Sequence, residues 1–180
     1  AKMRWQPAVR TLPPYYDDPA YIDALRASVE ESLAELSFEP EVLLASFHGM
    51  PERTLTLGDP YHCHAQKTAR LLAEALGRDV RIAFQSRFGR AKWLGPETES
   101  MLRSIVQEGA RSVAVVTPGF SADCLETLEE ISIRGRQVFL NEGGENFAFL
   151  PCLNARSIAI GLYARLIHRE LYGWLSHHKV

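Results

Sequence analysis

Three places along the sequence carry side chains that can move protons or hold a cation. The richest is Thr117-Pro-Gly-Phe-Ser-Ala-Asp-Cys-Leu-Glu-Thr-Leu-Glu-Glu130. Asp123, Glu126 and Glu130 recur there at i, i+3 and i+7, a spacing that puts three carboxylates on one face of a helix. Such a stripe can pass a cation along oxygen ligands or take up protons. Asp123 and Glu126 also match an Asp-x-x-Glu capping box, in which both side chains satisfy helix-terminal N–H groups. Glu130, one turn deeper, has no capping explanation.

The second place is His48. It directly follows an apolar run and is followed by Gly49. A neutral imidazole serves as base or metal ligand near neutral pH; a structural histidine bonded to a backbone group is the alternative. His62 and His64 flank Cys63, but residues two apart do not share a helix face. His168, His177 and His178 fall on the last helix and its tail. The third place is the loop 85–96. Arg87, Arg90 and Lys92 can bind acidic groups of a ligand, with Phe88 and Trp93 as flat walls. A solvated loop around one buried tryptophan would read the same way. There is no Gly-x-Gly-x-x-Gly and no Walker pattern, so a nucleotide or general phosphate module has little support.

The elements that must position these residues follow from periodicity. Residues 1–18, with Pro7, Pro13 and Pro14, read as an extended lead-in or linker. Residues 19–180 read as one domain. Pro19 suits a helix start, and Ile22, Leu25, Val29, Leu33 and Leu36 predict an amphipathic helix over 19–37. Val42–Phe47, Val80–Gln85, Ser112–Thr117 and Phe147–Leu150 are short apolar runs of strand length, continuous rather than alternating, as in strands covered on both faces. Between them the spacing predicts helices over 61–76, 97–108, from about 123, and over 156–175. Residues 52–59 read as a polar loop, and Val138-Phe-Leu140 as a short apolar piece before Gly143-Gly144. Strand and helix alternate four times. That order predicts an α/β fold of the Rossmann-like, doubly wound kind, with a mainly four-stranded parallel sheet flanked by helices. Ligands of such sheets bind beyond the carboxyl ends of the strands, where all three candidate places lie.

Composition narrows the function classes. The chain has 180 residues, 46% hydrophobic and 23% charged, as in ordinary soluble domains. A net charge of -2 gives no reason to expect a nucleic-acid partner. No apolar run reaches membrane-spanning length, and the mixed, polar first residues carry no secretory signal. Trp174 and its neighbours allow at most peripheral membrane contact. The 3 cysteines, Cys63, Cys124 and Cys152, form no Cys-x-x-Cys pair and read as free thiols in a reducing cytoplasm. The chain does not begin with methionine, so it is expected to be a processed product or a piece of something longer.

Five ordered motifs closely resemble the ferrochelatase family: Ser46-Phe-His-Gly-Met-Pro51, Gly58-Asp-Pro-Tyr61, Phe84-Gln-Ser-Arg-Phe-Gly89, Trp93-Leu-Gly-Pro96 and Pro118-Gly-Phe-Ser-Ala-Asp-Cys-Leu-Glu-Thr-Leu-Glu-Glu130. The resemblance covers nearly the whole chain. It implies insertion of Fe(II) into protoporphyrin IX with release of two protons, in a cleft between two similar halves. It implies His48 and Glu126 as the catalytic pair, and Glu130 as the next carboxylate of an acidic path. His48, Glu126 and Glu130 are the implied metal contacts. Phe120 and Trp93 are the implied cleft walls, and Gln85, Ser86 and Arg87 the implied substrate contacts. Iron and protoporphyrin are then substrates rather than cofactors.

The chain departs from the family's pattern in four ways. Cys124 stands where some members have histidine, and Arg134 interrupts the acidic path. No cysteine-bearing tail follows Cys152, so no [2Fe-2S] cluster is expected. The length corresponds to the carboxyl-terminal half alone. The missing amino-terminal half becomes the expected partner, and its absence is expected to leave an apolar patch open to self-association. Alone, the chain is expected to insert metal weakly or not at all. Two other activities remain open: a chelatase for cobalt or sirohydrochlorin, and a non-catalytic porphyrin- or haem-binding half-domain.

Overall fold

The computed structural model describes residues 4, 5 and 7–174. Its centre is a four-stranded, all-parallel sheet in the order β2-β1-β3-β4. The strands are β1 (Val42–His48), β2 (Val80–Gln85), β3 (Ser112–Val116) and β4 (Asn146–Phe149). Each lies within a residue or two of its apolar run, because a strand buried on both faces has no polar alternation to blur its ends.

Helices cover both faces. On one side α1 (Pro19–Ala34), α3 (Tyr61–Leu76) and α7 (Ser157–Glu170) place Leu25, Val29, Leu72, Leu162 and Leu166 against Leu43, Ala45 and Phe47 of β1. On the other side, α4 (Thr98–Gln107) places Leu102 and Ile105 against Leu44 of β1 and Val113 and Val115 of β3. Successive strand residues thus enter opposite cores, as the two-residue period of a strand requires. The doubly wound arrangement is therefore present.

Local signals act as expected at several ends. Asp18 caps α1 by accepting the Ala20 N–H at 2.9 Å, with Pro19 in the first turn. Gly77 ends α3 with φ of 63°, a left-handed conformation that glycine adopts without steric cost. Residues 7–18 contain no helix or strand, and Tyr16 and Asp17 bond α3 through Thr68 and Lys67.

Several boundaries differ. The first helix stops at Ala34 rather than 37, and a short helix, α2 (Glu52–Thr56), occupies the expected polar loop. The piece around Val138-Phe-Leu140 is helix α6 (Arg136–Asn141), with Phe139 fully buried. The last helix ends at Glu170; residues 175–180, including His177 and His178, lie outside the described residues.

The largest difference is at 123–135. A regular helix from Asp123 is not formed. A single α-turn, α5 (Leu125–Thr127), passes directly into a π-helix, Leu128–Gly135. The cap is Cys124 with Thr127, not Asp123 with Glu126: the Thr127 hydroxyl accepts the Cys124 N–H at 3.0 Å. The i, i+3, i+7 reading assumed an α period throughout, and the π segment lengthens the hydrogen-bonded step from four residues to five.

Candidate functional site

Because β2 and β3 lie on opposite sides of β1, the chain changes direction between β1 and β3. A crevice opens beyond the carboxyl ends of these strands, the usual ligand position of an open α/β sheet. His48 is the last residue of β1 and Thr117 directly follows β3. The chain turns at Pro118 and Gly119, then presents Phe120 and, at the head of α5, Glu126.

His48 and Glu126 meet there, with Nδ1 3.5 Å from Oε1. Their side chains are 37% and 40% exposed, so solvent screens the pair and it adds little to stability. The same exposure leaves both groups open to a ligand. The Cys124 Sγ lies 3.5 Å from the other carboxylate oxygen of Glu126. Phe120 stands edge-on to the His48 ring, with centroids 6.3 Å apart.

Two tyrosines hold the backbone under this pair. The Tyr61 hydroxyl donates to the His48 carbonyl at 2.9 Å, and the Tyr21 hydroxyl donates to the Pro118 carbonyl. Burial pushes the Tyr61 phenol up to about 12, and raises that of the more deeply buried Tyr21 further. Both therefore remain donors at neutral pH. Behind Phe120 these tyrosines line an apolar cavity of about 210 Å3, together with Tyr16 and His64, whose ring centroids stack at 3.6 Å. The sequence reading missed this layer. Tyr21 lies on the buried face of α1, but nothing in its spacing says that its hydroxyl reaches Pro118.

The loop 85–96 folds back along the residues after His48. The Leu94 N–H donates to the Met50 carbonyl, and the Glu52 N–H to the Lys92 carbonyl. This sets Trp93 beside Gly49, where a Cβ would lie 3.3 Å from the indole. The Trp93 indole N–H donates to the Phe88 carbonyl at 3.0 Å. Phe88 itself is exposed.

The other expected contacts are engaged within the protein. Gln85 is 4% exposed and both ends of its amide are bonded, to Ser46 and to the Glu126 carbonyl. Ser86, at φ of 60°, donates to a Glu130 oxygen at 2.7 Å. Arg87 pairs with Glu97 at 3.1 Å. Ser86, Arg87, Glu97, Glu99, Glu130 and Arg134 line a polar cavity of about 120 Å3 beside the crevice. Arg134 reaches Glu99, Glu129 and Glu130 there, so the acidic path meets a guanidinium one turn beyond Glu130. Asp123 does not line this cavity and accepts from Cys152 N–H and Asn154. The structure thus brings His48, Glu126, Cys124 and Phe120 together and sets Glu130 in the neighbouring cavity. Among the described residues, no three histidine, cysteine, aspartate or glutamate side chains are grouped to hold a metal ion.

Comparison with known proteins agrees with the motifs. The family model described as Ferrochelatase matches residues 1–171. A ferrochelatase of Agrobacterium fabrum (strain C58) is 52% identical over 177 residues, covering 97% of this chain and 52% of that protein. One from Rhizobium meliloti (strain 1021) is also 52% identical over 177 residues, with the same coverage. One from Methylocella silvestris is 48% identical over 178 residues, covering 97% of this chain and 51% of that protein. The chain spans about half the length of the curated relatives it matches.

Proposed function

The chain belongs to the ferrochelatase family, and we propose that it is the half of such an enzyme that carries the proton-handling pair for metal insertion. The substrates in this reading are Fe(II) and protoporphyrin IX, and the product is protohaem. The observation that carries it is the approach of His48 to Glu126 at the carboxyl ends of β1 and β3.

Insertion of a divalent metal into a free-base porphyrin replaces two pyrrole N–H protons. The site must therefore accept protons and offer oxygen or nitrogen ligands to a cation losing its water. With Nδ1 turned to Glu126, His48 keeps Nε2 free as a base toward the macrocycle. Glu126 stabilises the imidazolium that forms, and passes protons on toward solvent. A separation of 3.5 Å needs only a small closing movement to become a full hydrogen bond. Phe120 and Trp93 supply flat apolar walls. Ser86 and Arg87 contact propionates by exchanging Glu130 and Glu97 for the ligand.

A macrocycle has two faces, and these residues cover one. The half-length match supports a second half as partner. So do Leu125 and Leu128, exposed on either side of Glu126. The same apolar surface favours self-association when the partner is missing. No helix of the described residues is long and apolar enough to cross a membrane.

The test is a fluorescence assay of protoporphyrin with Zn(II), and with Fe(II) under anaerobic conditions. The chain is assayed alone and mixed with the part of the Agrobacterium relative that it does not match. The expected result is porphyrin binding by the chain and metal insertion that rises on mixing. His48→Ala and Glu126→Gln should each lower insertion by about 100-fold or more while porphyrin binding stays within about threefold. Binding without insertion in the mixture would make the chain a porphyrin-binding module. Preferential loading of cobalt into sirohydrochlorin would make it a different chelatase.

A further inference from the structure

We propose that Gln85 sets the distance between His48 and Glu126, acting as a positioning residue for proton removal and not as a contact for the substrate. The proposal rests on the reading of those two residues as the proton-handling pair.

Gln85 lies directly opposite His48 in the β1–β2 register. Its backbone carbonyl accepts the N–H of Gly49 at 2.7 Å, one residue after His48. Its side-chain oxygen accepts from the Ser46 hydroxyl at 2.8 Å, two residues before His48. Its side-chain nitrogen donates to the backbone carbonyl of Glu126 at 2.7 Å. One residue thus holds the chain on both sides of His48 and the peptide that carries Glu126.

The direction of these bonds follows from chemistry. The Glu126 carbonyl can only accept, so the amide nitrogen must face it and the amide oxygen must face Ser46. Ser46 has one hydroxyl proton, which it gives to Gln85. The contact of 2.8 Å between the Ser46 and Thr98 hydroxyls is then donated by Thr98. Donation runs one way, from Thr98 through Ser46 and Gln85 to Glu126. Thr98, Ser46 and Gln85 are 3%, 0% and 4% exposed, so water does not compete for these bonds.

Glu126 needs such a hold. It sits in the first turn of a helical stretch that switches at once from α to π, where the backbone has few intrahelical bonds of its own. One N–H of the Gln85 amide is spent on the Glu126 carbonyl and the residue is 4% exposed, so its influence on chemistry passes through Glu126. A misplacement of about 1 Å in a reacting constellation costs about 100-fold in rate.

The variants are Gln85→Leu and, should that fail to fold, the isosteric Gln85→Glu, whose carboxylate repels the Glu126 carbonyl. Kinetics are read in the complemented enzyme described above. The distance from the Glu126 carboxyl carbon to His48 Nδ1 is read in the chain itself by carbon–nitrogen dipolar NMR. The expected result is kcat lowered by about tenfold to 100-fold, porphyrin KM within about twofold, and a separation longer by about 1 Å. Unchanged kcat overturns the proposal. So does a rise in KM at constant kcat, which would make Gln85 a substrate contact, and so does lost activity at an unchanged separation. If the unmodified protein inserts no metal, the functional reading fails, and the NMR distance alone decides whether Gln85 sets the geometry of the pair.

Discussion

Asp123 and Asn154 hold each other through two hydrogen bonds of opposite direction. Asn154 Nδ2 donates to the Asp123 carboxylate at 2.7 Å, and the Asp123 N–H donates to Asn154 Oδ1 at 2.8 Å. The Cys152 N–H adds a third bond at 3.0 Å. Together they tie the turn after β3 to the segment after β4. The approach to Glu126 is therefore anchored to the neighbouring strand's loop through Asp123, in addition to the Cys124–Thr127 cap on its own helix.

Asp123→Ala should lower stability by about 1.5–3 kcal/mol, the range for losing a hydrogen bond to a charged group. Burial alone would raise this carboxyl, but the bonds from Asn154 and Cys152 outweigh it and hold it below the usual range. A carboxyl depressed in the folded state contributes stability above its unfolded value, here 3.8, and loses it as pH falls through the folded value. Urea unfolding as a function of pH should therefore show an acid limb below about pH 4 that the alanine variant lacks in part. An unchanged acid limb would contradict the assignment.

Gly49→Ala should displace the end of β1. A Cβ there would sit 2.5 Å from the Gln85 backbone oxygen and 3.3 Å from the Trp93 ring. Neither strand end can yield without moving His48. The expected cost is about 1–3 kcal/mol, as for overpacking elsewhere. Metal insertion in the complemented enzyme should fall with it. A thermal melt and a crystal structure of the variant check both parts.

Tyr61→Phe removes the donor to the His48 carbonyl and should cost about 0.5–1.5 kcal/mol. The phenol of Tyr61 is raised from 10.0 to about 12 by burial. A phenol raised on folding contributes stability below its unfolded value and loses it as pH rises through the folded one. Alkaline unfolding should therefore set in between pH 10 and about 12, with part of its steepness lost in the phenylalanine variant. Absorbance at the phenolate band and circular dichroism, followed together, measure this.

The three thiols should react in an order set by burial. Cys63 is exposed, Cys124 is intermediate and Cys152 is buried. Burial pushes the Cys152 thiol up to about 12, and its sulfur lies 3.2 Å from the Thr117 hydroxyl. A disulfide reagent at neutral pH should label Cys63 first and Cys152 only on unfolding. Peptide mapping of the native protein that finds Cys152 labelled as fast as Cys63 would refute this.

The sheet was legible because its signal is local. Val42–Phe47 and Ser112–Thr117 are continuous apolar runs, and a strand between two helical layers has no polar face to interrupt them. The helix at 61–76 has the same bounds in both readings, ended by Gly77. His48 was identifiable as a residue type at a strand end and Glu126 as one of three carboxylates past a later strand; the ordered motifs supplied the family and, with it, the choice of Glu126. The stripe from Asp123 to Glu130 was read less well. The switch from an α-turn to a π-helix after Thr127 leaves no mark in spacing alone, and Cys124 is not among the usual capping residues.

By itself, then, the sequence determined the layers, the strand ends and the family, since periodicity and contiguous motifs are properties of neighbours in the chain. The tertiary structure decided which carboxylate faces His48. Asp123 is drawn off by Asn154, Glu130 is held by Ser86 and Arg134, and Glu126 alone approaches the imidazole. Each of those choices is a contact between different loops or elements. Its direction depends on burial and on the donors left free by the rest of the fold, and neither can be read from spacing along one segment.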